Sequence, residues 1–157
     1  MLRPLYRFAD ALRQQSRQQT KTADHALGSR GEDIAHRFLQ RAGIVVVARN
    51  FRMASGAGEV DLIGWEREKL VFIEVKSRQT DEFGAPDRAI GAEKQHSLTR
   101  AAREYARHAG VPWERVRFDV VTVVFSTPPR IGHVRDAFGA QRSPLGRPSG
   151  SPLSARR

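Results

Sequence analysis

Cysteine is absent from this sequence, which excludes disulfides and every metal site built on thiolates. That absence suits a reducing compartment, and a cytoplasmic location is expected. No apolar run approaches the roughly 18 residues of a membrane-spanning helix, so no membrane association is expected. The opening residues, Met1 to Arg7, are broken by arginine and proline and make a poor secretory leader. The glycines at 56 and 58 precede a strand pattern rather than a helix, which excludes a dinucleotide fingerprint. The histidines at 25, 36, 96, 108 and 133 show no metal-ligand spacing. Lysine is scarce as well: Lys21, Lys69, Lys76 and Lys94 are the only four among 27 basic residues. Where a chain writes arginine nearly everywhere, a lysine marks a place for a compact point charge that can join proton chemistry.

What is present is positive charge, with a formal net of +10 and a pI near 11.2. Its distribution matters more than its total. Residues 1–26 hold five Arg/Lys against two Asp/Glu, and residues 126–157 hold six against one. Residues 27–125 hold 16 against 14, so that segment is close to neutral. The ends therefore supply most of the attraction to polyanions through counterion release, and nucleic acid is the expected partner.

The same three segments emerge from the patterning. Residues 1–26 form an Arg/Gln-rich extension with a few spaced apolar positions, enough for a short helix. Residues 126–157 are rich in Pro, Ser, Gly and Arg without periodicity and read as a disordered tail. Between them lies one α/β domain. Ile34, Ala35, Phe38, Leu39 and Ala42 predict a helix from about Arg30 to Ala42, stopped by Gly43. The run from Ile44 toward Arg52, then Glu59 to Trp65 and Lys69 to Arg78, predict three strands. A long helix is expected from about Pro86 to His108 and a fourth strand from Arg117 to Phe125. The order α-β-β-β-α-β describes a mixed sheet flanked by helices.

Strand alternation gives the chemistry. Residues i and i+2 share a face about 7 Å apart, so Glu59 and Asp61 are expected on one side of the second strand. Glu74 and Lys76 share a side of the third. A hairpin across Glu66-Arg67-Glu68 would set Asp61 opposite Glu74. Asp61, Glu74 and the backbone carbonyl of Val75 could then hold a hard divalent cation, Mg²⁺ or Mn²⁺. Lys76 would orient an attacking water or offset developing charge. A surface Glu–Lys pair would explain the same residues, but the third strand is apolar on both faces until Glu74, and charge entering such a strand is costly unless paired or metal-bound. Glu32 and Gln95 prolong the buried stripes of the two helices, from where Glu32 could reach the metal and Gln95 could hydrogen-bond Lys76 or a phosphate. Glu59 is expected to support the site rather than bind metal directly. Arg49, Arg52, Arg78 and Arg88 are candidate phosphate contacts.

Several motifs occur together in order: Gly31-Glu32-x-x-Ala35, Arg49-Asn50-Phe51-Arg52, Gly58-Glu59-Val60-Asp61-Leu62-Ile63, Phe72-Ile73-Glu74-Val75-Lys76-Ser77-Arg78, Phe83-Gly84 and Arg117-Phe118-Asp119-Val120-Val121. Over about Leu27 to Phe125 the sequence resembles the YraN / UPF0102 family. That family is similar to the PD-(D/E)xK, restriction-endonuclease-like nuclease superfamily and to archaeal Holliday-junction resolvases. The resemblance implies metal ligands at Asp61 and Glu74, a catalytic lysine at Lys76 and a first-helix acid at Glu32. Val60 stands where the superfamily's name has proline. The activity implied is a metal-dependent endonuclease selective for DNA structure, which in a resolvase would need a second copy of the chain. The alternatives are a nucleic-acid-binding module without cleavage and an interaction scaffold.

Overall fold

A computed structural model describes residues 23–54, 56, 58–79 and 90–139. Residues 23–41 form helix α1, followed by strands β1 (Val45–Arg52), β2 (Glu59–Glu66) and β3 (Lys69–Arg78). Helix α2 (Ala92–His108) and a single 3₁₀ turn (Trp113–Arg115) lead to β4 (Val116–Val124) and β5 (Arg130–Val134). The sheet runs β1-β2-β3-β4-β5, antiparallel except for the parallel β3–β4 pair. A parallel pair needs a crossover, and α2 supplies it. The class is α/β with a mixed five-stranded sheet.

Three expectations need correction. Residues 126–157 are not wholly a disordered tail: β5 pairs with β4 from Val120↔Val134 to Val124↔Arg130. Beyond it Phe138 stacks on Phe118 at 4.5 Å between ring centroids. Five residues rich in Arg, Gly and His carry too little apolar alternation to announce a strand, and pairing along β4 substitutes for it. Residues 140–157 lie outside the described residues. Helix α1 reaches back at least to Ala23; residues 23–26 are exposed and add nothing to a buried stripe, so periodicity does not announce them. Helix α2 begins at Ala92 with Gly91 as its N-cap, so Ile90 is buried ahead of the helix rather than on it. The start expected at Pro86 falls among residues not described.

The sheet buries both faces. On the α2 face Val60, Ile63, Leu70, Phe72, Phe118 and Val120 pack with Leu98, Ala101, Ala102 and Ala106. On the α1 face Leu62, Val71, Ile73, Val121 and Val123 pack with Ala35, Leu39 and Ile44. Val60 and Leu62 thus lie in opposite cores, where regular alternation would give them one face. The alternation lapses at Asp61. Across from it β1 is irregular too: Asn50 has φ +49°, bracketed by the pairs Arg49↔Leu62 and Phe51↔Val60. A further register shift between Val46 and Ala48 leaves Val47 as an extra residue, a β-bulge.

Helix α1 meets β3 at Gly31, which is buried. A Cβ there would lie 1.9 Å from Ser77 Oγ and 3.1 Å from Ser77 Cβ. Only glycine lets the helix approach so closely, and that approach delivers the next residue, Glu32, to the end of the sheet. Gly31→Ala is expected to cost about 1–3 kcal/mol through overpacking. Adding Ser77→Ala should recover most of it in a double-mutant cycle read by urea denaturation. Equal losses in the single and double variants would show that the contact is not what limits the position.

Candidate metal centre

The β2–β3 hairpin runs Trp65↔Leu70, Gly64↔Val71, Ile63↔Phe72 and Leu62↔Ile73, so one further step sets Asp61 against Glu74, as the spacing predicts. There the side chain of Asp61 takes over from the ladder: the Val75 N–H donates to Asp61 Oδ2 at 2.7 Å. A residue in an extended strand presents its N–H and C=O toward the same neighbour. The Val75 carbonyl therefore lies on the Asp61 side of β3.

Asp61 and Glu74 face each other at the end of the hairpin, and each carboxyl bears on the titration of the other. Burial pushes Glu74 up to about 7, and the adjacent Asp61 charge adds to that. Burial also raises Asp61, against the lowering effects of the Val75 N–H, of the Lys94 charge and of the Glu74 hydroxyl. Two carboxylates held this close are a pair in need of positive charge. Lys94 supplies some of it from α2, with Nζ 3.0 Å from Glu74 Oε2. The contact is an ion pair without hydrogen-bond alignment, so that buried oxygen has no hydrogen bond.

Glu32 approaches from α1. Its carboxyl is raised by burial first and by the Asp61 charge, while a hydrogen bond from the Asn50 side chain and the Arg49 charge oppose this. The positive φ of Asn50 is what turns this residue at the strand irregularity. Arg49 lies 2.7 Å from Asp33 and 3.8 Å from Glu32. Glu32 thus borders the pair but has its own partners. Among the described residues no three His, Cys, Asp or Glu side chains gather as a metal-holding group.

The other candidates are dispersed. Lys76 is half-buried and shares Glu74's face by alternation. The Gln95 amide donates to the Ile90 carbonyl at 2.7 Å, which fixes the chain entering α2 and takes up that N–H₂ group. Glu59 pairs with Arg52 at 3.4 Å in an exposed contact. Arg78 is exposed at the end of β3, and Arg88 lies outside the described residues. Lys94 was legible in principle: it lies one turn before Leu98 and so continues the buried stripe.

Asp61, Glu74 and the Val75 carbonyl fit a hard cation that takes one or two carboxylates and fills its remaining positions with water. The buried Oε2 without a hydrogen bond is what a divalent ion would satisfy. A model of the Uncharacterised protein family UPF0102 matches residues 31–123, which include Glu32, Asp61, Glu74, Lys76 and Lys94. The chain belongs to the UPF0102 family. The UPF0102 protein of Solibacter usitatus (strain Ellin6076) is 45% identical over 138 residues, covering 88% of this chain and 100% of that protein. That of Rhodococcus jostii (strain RHA1) is 48% identical over 115 residues, covering 72% and 96%.

The UPF0102 domain holds a second charged cluster that sequence reasoning did not single out. Asp119 on β4 is 1% exposed. Arg117 grips it through Nε and Nη2, both at 2.8 Å, and reaches Glu66 at 2.6 Å. His133 Nε2 lies 2.8 Å from Asp119 Oδ2, the Asp136 N–H donates at 3.0 Å, and Arg135 grips Glu66. Burial would raise Asp119, but the contacts from His133, Arg117 and the Asp136 N–H outweigh it and hold the carboxyl below its ordinary range. Through these contacts the cluster fastens β5 and the β2–β3 turn to β4. The argument applied to Glu74, charge inside an apolar strand, would have found Asp119. No helix among the described residues is long and apolar enough to cross a membrane.

Proposed function

We propose that this UPF0102 protein is a divalent-metal-dependent endonuclease that hydrolyses phosphodiester bonds in DNA, selective for DNA structure, on the PD-(D/E)xK pattern. The observation that supports it best is the half-buried Asp61–Glu74 pair where β2 and β3 part, with Asp61 accepting from the Val75 N–H and Lys76 two residues beyond Glu74. Structural carboxylates are normally satisfied as Asp119 is, whereas Glu74 Oε2 has no hydrogen bond.

Asp61, Glu74 and the Val75 carbonyl would hold Mg²⁺ or Mn²⁺, which when bound polarises a phosphate oxygen and makes a water acidic enough to attack. Lys76 orients that water and offsets charge growing on the phosphate oxygens. Glu32, held by Asn50 and Arg49, places negative charge beside Asp61 and favours cation over proton at the pair. In the reaction the water oxygen bonds to phosphorus, one ester P–O bond breaks, and the departing oxygen takes up a proton.

The test is cleavage of labelled duplex, single strand, flap and four-way junction with Mg²⁺ or Mn²⁺ and with EDTA. Metal-dependent cleavage is expected on at least one branched substrate. Lys76→Ala should slow it by about 10²–10³-fold, the usual loss for removing one group that stabilises transition-state charge. The second reading is a binding module without cleavage, which needs only the positive charge that the ends of the chain supply. Retained DNA binding with no cleavage of any substrate by folded protein would establish that reading instead.

A further inference from the structure

We propose that Lys94 is a built-in counter-ion, which balances the Asp61–Glu74 pair in the metal-free protein and yields its place to the divalent cation. The inference rests on the metal-dependent reading above and adds to it how the site is held before metal arrives.

Four observations carry it. Lys94 stands in the first turn of α2, and the Gln95 amide bonded to the Ile90 carbonyl fixes that turn against its entry loop. From there Nζ reaches 3.0 Å from Glu74 Oε2 without hydrogen-bond alignment, so the contact is charge against charge and weakly directional. The Lys94 side chain is 39% exposed while that of Glu74 is 14% exposed, which gives the ammonium an open path to water when it leaves. Finally, the residue is lysine in a chain with 23 arginines and four lysines. A guanidinium would fork onto the carboxylate and hold it, whereas an ammonium on a flexible stem makes a single contact that a stronger cation can displace.

The same charge that steadies the pair must oppose a second cation arriving at it. Charges a few ångström apart repel more strongly near a protein surface than in water, and a divalent ion doubles the repulsion. A half-exposed lysine that can swing away realises only part of that. Mn²⁺ titrated calorimetrically into the full chain at pH 8 should therefore bind Lys94→Gln about tenfold more tightly than wild type, or about 1.4 kcal/mol. Lys94→Arg keeps the charge and should bind at wild-type strength or more weakly. Thermal melts in EDTA complete the test, because loss of the counter-ion should lower the melting point of metal-free Lys94→Gln while saturating Mn²⁺ restores it. Unchanged or weaker Mn²⁺ binding in Lys94→Gln overturns the counter-ion role and leaves the metal site standing. No binding by wild type or either variant removes the metal reading, and this inference with it.

Discussion

Asp61→Asn is expected to abolish cleavage and, at the same time, to make the metal-free protein more stable at pH 8. Asparagine keeps the shape and an oxygen to accept the Val75 N–H, but it removes the charge that conflicts with Glu74. Loss of a charged metal ligand removes several kcal/mol of transition-state stabilisation, so cleavage should fall by about 10³-fold or more. The stability gain follows from the protonation of Glu74. Its folded pKa, about 7, lies above the ordinary 4.5, so between those values the folded state binds a proton that the unfolded state does not. The resulting stability is full below about pH 4.5 and is lost as pH rises through 7, by at most about 3 kcal/mol. Asp61→Asn should lower the Glu74 pKa and flatten that loss in urea titrations run from pH 5 to pH 8. A variant that is inactive and also less stable at pH 8 would show that the pair does not bear this electrostatic strain.

The opposite outcome is expected at Asp119, where Asp119→Ala should destabilise the fold by about 3–5 kcal/mol. The substitution removes the carboxylate from Arg117, whose side chain is 15% exposed, and strips a partner from His133 and from the Asp136 N–H. The large effect comes from stranding a buried guanidinium rather than from the net worth of the ion pair. Asp119→Asn, which keeps oxygen for one donor, should lose less. Hydrogen exchange should show β5 released first, since the contacts of His133 and of the Asp136 N–H with Asp119 reinforce its ladder with β4. A loss under 1 kcal/mol in Asp119→Ala would mean that Glu66 alone suffices for Arg117. The pH window here is the reverse of that at Glu74: Asp119 and Glu66 are both held below their ordinary ranges, so their stabilisation is present above about pH 4 and is lost as pH falls further. Metal-free protein should accordingly be most stable in mildly acidic solution.

Much of this was readable along the chain because its signals are local. The strands β1 to β4 and the core of each helix follow from residue periodicity, and the short turn between β2 and β3 leaves little freedom of register, so Asp61 opposite Glu74 could be placed from spacing. What local pattern could not convey were features decided by other parts of the molecule. The face of Val60 changes because Asn50 on the neighbouring strand takes a positive φ, and no alternation rule contains that. The strand β5 exists because β4 offers an edge and Asp119 offers a buried anion, not because Arg130–Val134 alternates well. The partner of Lys94 depends on how α2 lies across β3. Gln95 shows the same limit: its place on the inward stripe of α2 follows from spacing, but the hydrogen bond from its amide to the Ile90 carbonyl depends on the path of the chain entering the helix.

The extra residue at Val47 bears on how separate molecules behave toward one another. β1 ends the sheet, and Val45 and Val47 leave 65% and 48% of their surfaces exposed. A straight apolar margin of that kind is a template on which another chain can add a strand, the first step of edge-to-edge aggregation. The bulge breaks the even spacing of amide groups along that margin, and Arg49 and Arg52 place charge just beyond it. The irregularity thereby makes β1 a poorer template for a further strand than a regular strand of the same composition would be.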